Sequence, residues 1–160
     1  IAGAVKSSRD EAEDKVRQLV ERVREQEKAL AQLKSKMASQ AGSDLSAEAE
    51  DINGVKILTA NLQGADSKAL RDTMDQLKNK LGTAAIVLAS EDGGKVRVVA
   101  GVTKDTTAKI KAGDLVNGAA AEVGGMGGGR PDMAQAGGSQ PDKIHAALEA
   151  AKSWLKQQLA

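Results

Sequence analysis

The 160-residue chain contains no cysteine, phenylalanine or tyrosine, and only one tryptophan, one histidine and two prolines. Without cysteine there are no disulfides, no thiolate metal ligands and no thiol nucleophile. With so few rings, the core has to be aliphatic, with alanine as filler. Trp154 is the single residue able to stack strongly on a base, and its place one step off an apolar helical stripe suits partial burial better. Recognition of splayed single-stranded bases is therefore disfavoured. His145 lies away from the apolar stripe of the same helix, beside Glu149 and Lys152, and reads as a solvated residue rather than a general base. There is no Walker string, zincin motif or two-metal His/Asp cluster. No apolar run approaches the ~20 residues needed to span a bilayer. No charged-then-apolar leader opens the chain. A soluble, cytoplasmic protein without a membrane partner is expected. The chain begins on Ile1 rather than Met, as expected of a piece of a longer protein.

Net charge is +1, which gives no global attraction to nucleic acid. Residues 1–40 carry +2, residues 41–54 carry −4 and residues 55–160 carry +3, so any phosphate-binding face must come from local clustering.

From Lys6 through Ala41 there is neither Gly nor Pro. A long helix is predicted there, roughly Ser7 to Ala38. Val16, Val23, Leu30 and Met37 fall at one heptad position, and Leu19 and Leu33 at the other, with a polar break at Gln26. That is a coiled-coil seam, and a helix of this kind has no core of its own. Gly42-Ser43 is expected to end it, and a short second helix to run to about Asp51. The second helix is too short to cover the seam, which leaves self-association or packing against other parts of a parent protein. Residues 1–53 thus read as a helical arm or hairpin, and residues 54–160 as a globular α/β (α+β) domain.

The globular part starts at the Asn53-Gly54 turn. Val55–Leu62 is a strand by β-branched content. Asp66 or Ser67 caps a helix with Leu70, Met74, Leu77 and Leu81 on one face, and Gly82 ends it. Ala84–Ser90 is apolar throughout, as in a strand buried on both faces. Glu91-Asp92-Gly93-Gly94 turns it into Lys95–Val102. The first two strands should be parallel and the third antiparallel, giving a mixed sheet with helices against it. Asp105 is expected to cap a single helical turn. Asp114 is expected to cap a helix through Val123. Pro141 suits the first turn of a last helix that buries Ile144, Leu148, Ala151, Leu155 and Leu159.

Between those last helices, seven of the fifteen residues in 124–138 are glycine. Such a run is costly to order and marks backbone that bends or approaches something closely. Rows of N–H groups without side chains can hold an anion, and Arg130 follows directly with a fork of donors suited to phosphate. A tight structural connection explains the same composition, and Asp132 or Asp114 could equally take Arg130 in a salt bridge. Met133–Ala136 could add a short edge strand.

The string GGGRPDMAQAGG followed by a short terminal helix resembles the C-terminal domain of bacterial-type alanyl-tRNA synthetases. The heptad helix, the Val/Ile/Leu strand and the segment Lys104-Asp105-Thr106-Thr107 extend the resemblance over essentially the whole chain. The related domain of DHH-type phosphoesterases has His where this chain has Arg130, which weakens a reading as the substrate-binding half of such an enzyme. The resemblance implies a non-catalytic module of an alanine–tRNA ligase that holds alanine tRNA at the elbow where the D and T loops meet. Aminoacylation and editing, with any ATP, magnesium and zinc, would belong to upstream domains of the same chain. No catalytic residue, metal ligand or cofactor site is expected in these 160 residues. Candidate tRNA- or phosphate-binding residues are Lys104, Lys109, Lys111, Gly127, Gly128, Gly129 and Arg130, with Lys78 and Lys80 as a second basic spot. Candidate oligomerisation residues are Val16, Leu19, Val23, Leu30, Leu33 and Met37. The alternative is an assembly module in which the glycines are purely structural.

Overall fold

The computed structural model describes the backbone of residues 2–160 and the side chains of residues 8–37, 40 and 44–160. The chain divides into two compact units, Ile1–Ser35 and Lys36–Ala160.

The first unit is a single helix, the greater part of α1 (Ala2–Leu45). Its heptad residues Val16, Leu19, Val23, Leu30 and Leu33 are all more than half exposed, as is Met37 further along α1. Val20, which the heptad reading omitted, adds to the same apolar surface. The helix does not stop at Gly42-Ser43 but runs through both to Leu45. The expected second helix is absent. In its place are a 3₁₀ turn, Ser46–Glu48, and a short strand, β1 (Glu50–Ile52). The reason lies in the next two residues. Asn53 and Gly54 both adopt positive φ, 53° and 84°, the geometry of a two-residue hairpin, and so fold 50–52 back onto the strand that follows. Asp51 helps by accepting the Gly54 N–H at 3.0 Å.

The second unit is a six-stranded mixed sheet in the order β1-β2-β3-β4-β6-β5. It comprises β2 (Val55–Asn61), β3 (Ala84–Asp92), β4 (Lys95–Val102), β5 (Met126–Arg130) and β6 (Met133–Gly138), together with β1. β2 and β3 are parallel, connected by α2 (Ser67–Leu81). β4 and β6 are antiparallel to their neighbours. α2 opens where expected, with the Asp66 carboxylate accepting the Ala69 N–H at 2.8 Å, and closes on Gly82 at φ 79°.

The sheet has a core on each face. Beneath α2 lie Leu58, Ala60, Ala84, Ile86, Leu88 and Val99, meeting Leu70, Met74, Leu77 and Leu81. On the other face α3 (Ala112–Glu122) and α4 (Ile144–Leu159) cover Ile57, Val87, Val96, Val98 and Val102. α3 starts at Ala112, so Asp114 stands in its first turn, favourably placed for the helix dipole, rather than capping it. α4 buries the five residues expected of it, and Trp154 is half-buried against the same core.

α4 is tied to the β1–β2 hairpin by polar contacts. Asn53 donates its side-chain N–H to the Leu159 carbonyl at 2.6 Å. Glu50 accepts from Lys152 and, at 2.9 Å, from Lys156. The hydrogen bond from Lys152, then that from Lys156, holds the Glu50 carboxyl below its usual range, and Glu50 in turn raises Lys152. The carboxylate contributes stability above its unfolded pKa and loses it as pH falls through the lower folded value. Lys152 contributes fully below its unfolded pKa and loses it as pH rises through the raised folded value. Glu50→Gln should therefore lower stability slightly at neutrality, the pair being partly exposed, and flatten the acid limb by the same small amount. Circular dichroism melts across the carboxylate range test this, and an unchanged acid limb would remove Glu50 from the balance.

Candidate nucleic-acid interface

The glycine-rich run is not a loop. Met126–Arg130 is the edge strand of the sheet, and Met133–Gly138 pairs on both sides, with β4 and with β5, so it is an interior strand and not the expected edge. The glycines divide by what surrounds them. A Cβ on Gly125 would stand 1.6 Å from the Gly137 carbonyl oxygen, and one on Gly127 2.3 Å from that of Gln135. At Gly129 it would stand 2.5 Å from that of Met133. These three are glycine because β5 is pressed against β6 on the α3 side. Gly138 is crowded instead by Val123 at the end of α3, 2.5 Å from where its Cβ would stand. At Gly128 a Cβ would meet nothing within 4 Å, and at Gly137 only the Val96 carbonyl oxygen at 3.8 Å. The Gly127 N–H, pointing away from β6, donates to Asn117 Oδ1 at 3.2 Å.

The hairpin tip between β5 and β6 is anchored at one end of the sheet. The Pro131 carbonyl accepts the N–H of Ala112, the first residue of α3, at 2.9 Å. The Asp132 carbonyl accepts the Val102 N–H at 2.9 Å and the Lys78 ammonium at 3.2 Å. Lys104 follows Val102 by two residues, and Lys111 immediately precedes Ala112. The connection from Thr103 to Lys111 is folded on itself: the Lys109 and Ile110 N–H groups both reach the Thr106 carbonyl. Thr103 is buried against the start of β3, its hydroxyl accepting the Ala84 N–H at 3.0 Å. Asp105 takes the Thr83 hydroxyl, and hydrogen bonds from Thr103 and Thr83 hold its carboxyl below the usual range. It does so in a run of turns rather than as the cap of a helical turn.

Lys104, Lys109, Lys111 and Arg130 are all exposed at this end, with Lys78 half-buried beside them. Arg130 makes the internal pair expected as one alternative, Nε to Asp132 Oδ1 at 3.4 Å, yet its side chain is 75% exposed. A pair so open adds little stability and leaves guanidinium donors facing outward. Among the described residues no group of three or more His, Cys, Asp or Glu could hold a metal ion, and no helix is long and apolar enough to cross a membrane. His145 is exposed.

Sequence reasoning missed two arginines. Arg97 on β4 donates to Ser67 Oγ at 2.9 Å and lies 3.6 Å from Asp92. Arg71 on α2 donates to Gln135 Oε1 on β6 at 3.0 Å. Both cross from one element to another over the α2 side of the sheet. The only available signal was the alternation in Lys95-Val96-Arg97-Val98, which marked one strand face as polar.

The profile of the DHHA1 domain matches residues 54–157. The chain belongs to the DHHA1 domain family. The match covers the sheet from β2 onward and nearly all of α4. Curated relatives similar to the chain include the alanine–tRNA ligase of Nitrosococcus oceani, 54% identical over 159 residues, 99% of this chain and 18% of that protein. That of Colwellia psychrerythraea is 54% identical over 160 residues, again 18% of its length. The DHHA1 chain thus spans about a fifth of the curated relatives it matches. Among solved structures, it is similar to the C-Ala domain of Aquifex aeolicus alanyl-tRNA synthetase, at 29% identity and a TM-score of 0.60, over 69% of this chain and 96% of that one. The resemblance carried by GGGRPDMAQAGG is borne out by these matches.

Proposed function

We propose that this DHHA1 chain is the tRNA-binding module of a cytoplasmic alanine–tRNA ligase. It holds the elbow of alanine tRNA while other domains of the same enzyme aminoacylate and edit. The observation that carries the proposal is the gathering of Arg130, Lys104, Lys109 and Lys111 around one anchored hairpin tip, with Gly127, Gly128 and Gly129 leading into it. The similarity to alanine–tRNA ligases over the whole chain supports the same reading. Cations on a rigid frame suit phosphate contacts, which position folded RNA without reading its sequence.

A salt titration of binding to alanine tRNA, beside an unrelated tRNA, tests it. Affinity should fall linearly in log salt. Replacing Lys104, Lys109 and Lys111 together by alanine should lower that slope by about two to three, roughly one per lost phosphate contact. An unchanged slope in a folded variant would remove these lysines from the interface. Arg130→Ala should weaken binding by about 1–3 kcal/mol, the range for a charge-assisted hydrogen bond.

The more than half-exposed Val16, Leu19, Val23, Leu30, Leu33 and Met37 favour a second role, self-association through α1 as a coiled coil. Val23→Asp should then shift a dimer to monomer in sedimentation equilibrium, whereas a monomeric wild type would end that idea.

A further inference from the structure

A groove of about 600 Å³ runs over the α2 side of the sheet, beyond the part that α2 covers. Ser67, Lys95, Arg97, Met126, Gln135 and Gly137 are among the residues that line it. The strand register places Gly128 on the same face, because it pairs with Gln135, which in turn pairs with Val99 beneath α2. Gly137 pairs with Arg97 on one side and Met126 on the other. The groove floor is therefore bare at Gly137, and the same face of the sheet beside it is bare at Gly128. These are the two glycines of the β5–β6 hairpin whose missing side chains packing does not require. A β-branched residue would suit Gly137 in the interior strand β6 better, and glycine within either strand weakens it. A floor kept bare at that cost is a place where something other than this chain approaches the backbone.

What approaches is anionic and elongated. Arg97, Arg71 and Lys78 follow one another beside β6 and are held by hydrogen bonds to Ser67 Oγ, Gln135 Oε1 and the Asp132 carbonyl. They span Gly137 to Asp132, about 17 Å at about 3.4 Å per strand residue. Arg130, paired with Met133 on the same face, continues the row. Asp92 offsets Arg97 in part. Met126, 88% exposed at the lip, offers an apolar, polarizable edge to a ribose or base.

We infer that this groove and its continuation along β6 to the hairpin tip form the track for one sugar–phosphate strand of the bound tRNA: Arg97 in the groove and Arg71 and Lys78 beyond it take successive phosphates, and Gly137 and Gly128 leave room for the riboses. The inference rests on the tRNA-binding reading and adds to it a route across the sheet.

The test is binding of alanine tRNA to the 160-residue chain and its variants. Gly128→Val and Gly137→Val should keep the wild-type melting temperature or raise it, yet weaken binding by about tenfold or more, the effect expected of blocking a desolvated contact. Arg71→Gln and Arg97→Gln should each weaken binding and make the salt slope shallower by about one. If a valine variant fails to fold, Gly128→Ala, whose Cβ meets nothing, is read together with Arg71→Gln. Folded valine or glutamine variants that bind as tightly as wild type would overturn the groove and leave the hairpin tip untouched. No binding by the wild type would overturn the tRNA reading itself. Adenosine monophosphate competing with tRNA at micromolar concentration would assign the groove to free nucleotides and overturn the RNA strand.

Discussion

Alanine at position 125 is expected to destabilise the globular unit by at least about 3 kcal/mol, the upper end of overpacking effects. The new Cβ would sit 1.6 Å from the Gly137 carbonyl oxygen and 3.0 Å from the Gly138 Cα, and both are backbone. No rotamer change relieves that overlap. β5 must separate from β6, or the turn after α3 must open and give up the Gly125 N–H bond to the Ala120 carbonyl at 2.8 Å. The same substitution at Gly128 meets open space. There it should be neutral or stabilise by about 0.4–1 kcal/mol by restricting the unfolded chain. Urea unfolding of the two variants measures the contrast directly. Equal midpoints would mean that β5 does not lie against β6 as described.

Leu155→Ala is the second large effect, about 2–5 kcal/mol by loss of buried methyl groups and the cavity left behind. Leu155 is fully buried in the core between α3, α4 and the sheet, among Ile57, Val87 and Leu115. The core has no Phe or Tyr to shift into the gap, so relaxation depends on short aliphatic side chains. A midpoint shift below that caused by removing the exposed Leu30 would show that α4 contributes little to the fold.

Most of the sheet was legible because its strands are written in Val, Ile, Leu and Ala between strong turn signals. The parallel β2–β3 pair, the β3–β4 hairpin, the Asp66 cap and the buried face of α4 all follow from local rules. Three elements did not. The helix passes through Gly42 because one glycine is a modest cost beside a long run of good helix formers. β1 is set by the hairpin geometry at Asn53-Gly54, which acts backward on a segment without strand character of its own. β5 was hidden for a different reason: a strand of Met, three glycines and Arg carries no alternation of side chains. The signal is in which glycines are forced and which are free, and that depends on a neighbouring strand. For the same reason Arg71 and Arg97 could not be joined to the glycine motif, since α2, β4 and β6 bring them together only in the folded sheet.

Trp154 gives this chain a built-in optical reporter with a restricted view. It is the sole indole, there is no tyrosine to transfer excitation to it, and its ring borders a small recess with Asp114, Leu115, Gly118, Ala150 and Ala151. Its emission therefore records the hydration of the α3–α4 seam and little else. The groove across β6 lies on the opposite face of the sheet, so RNA settling there is spectrally silent at the indole, while any loosening of α4 shifts the emission to the red. Intensity and wavelength from one residue thus separate ligand occupancy, which leaves them unchanged, from loss of the fold, which does not.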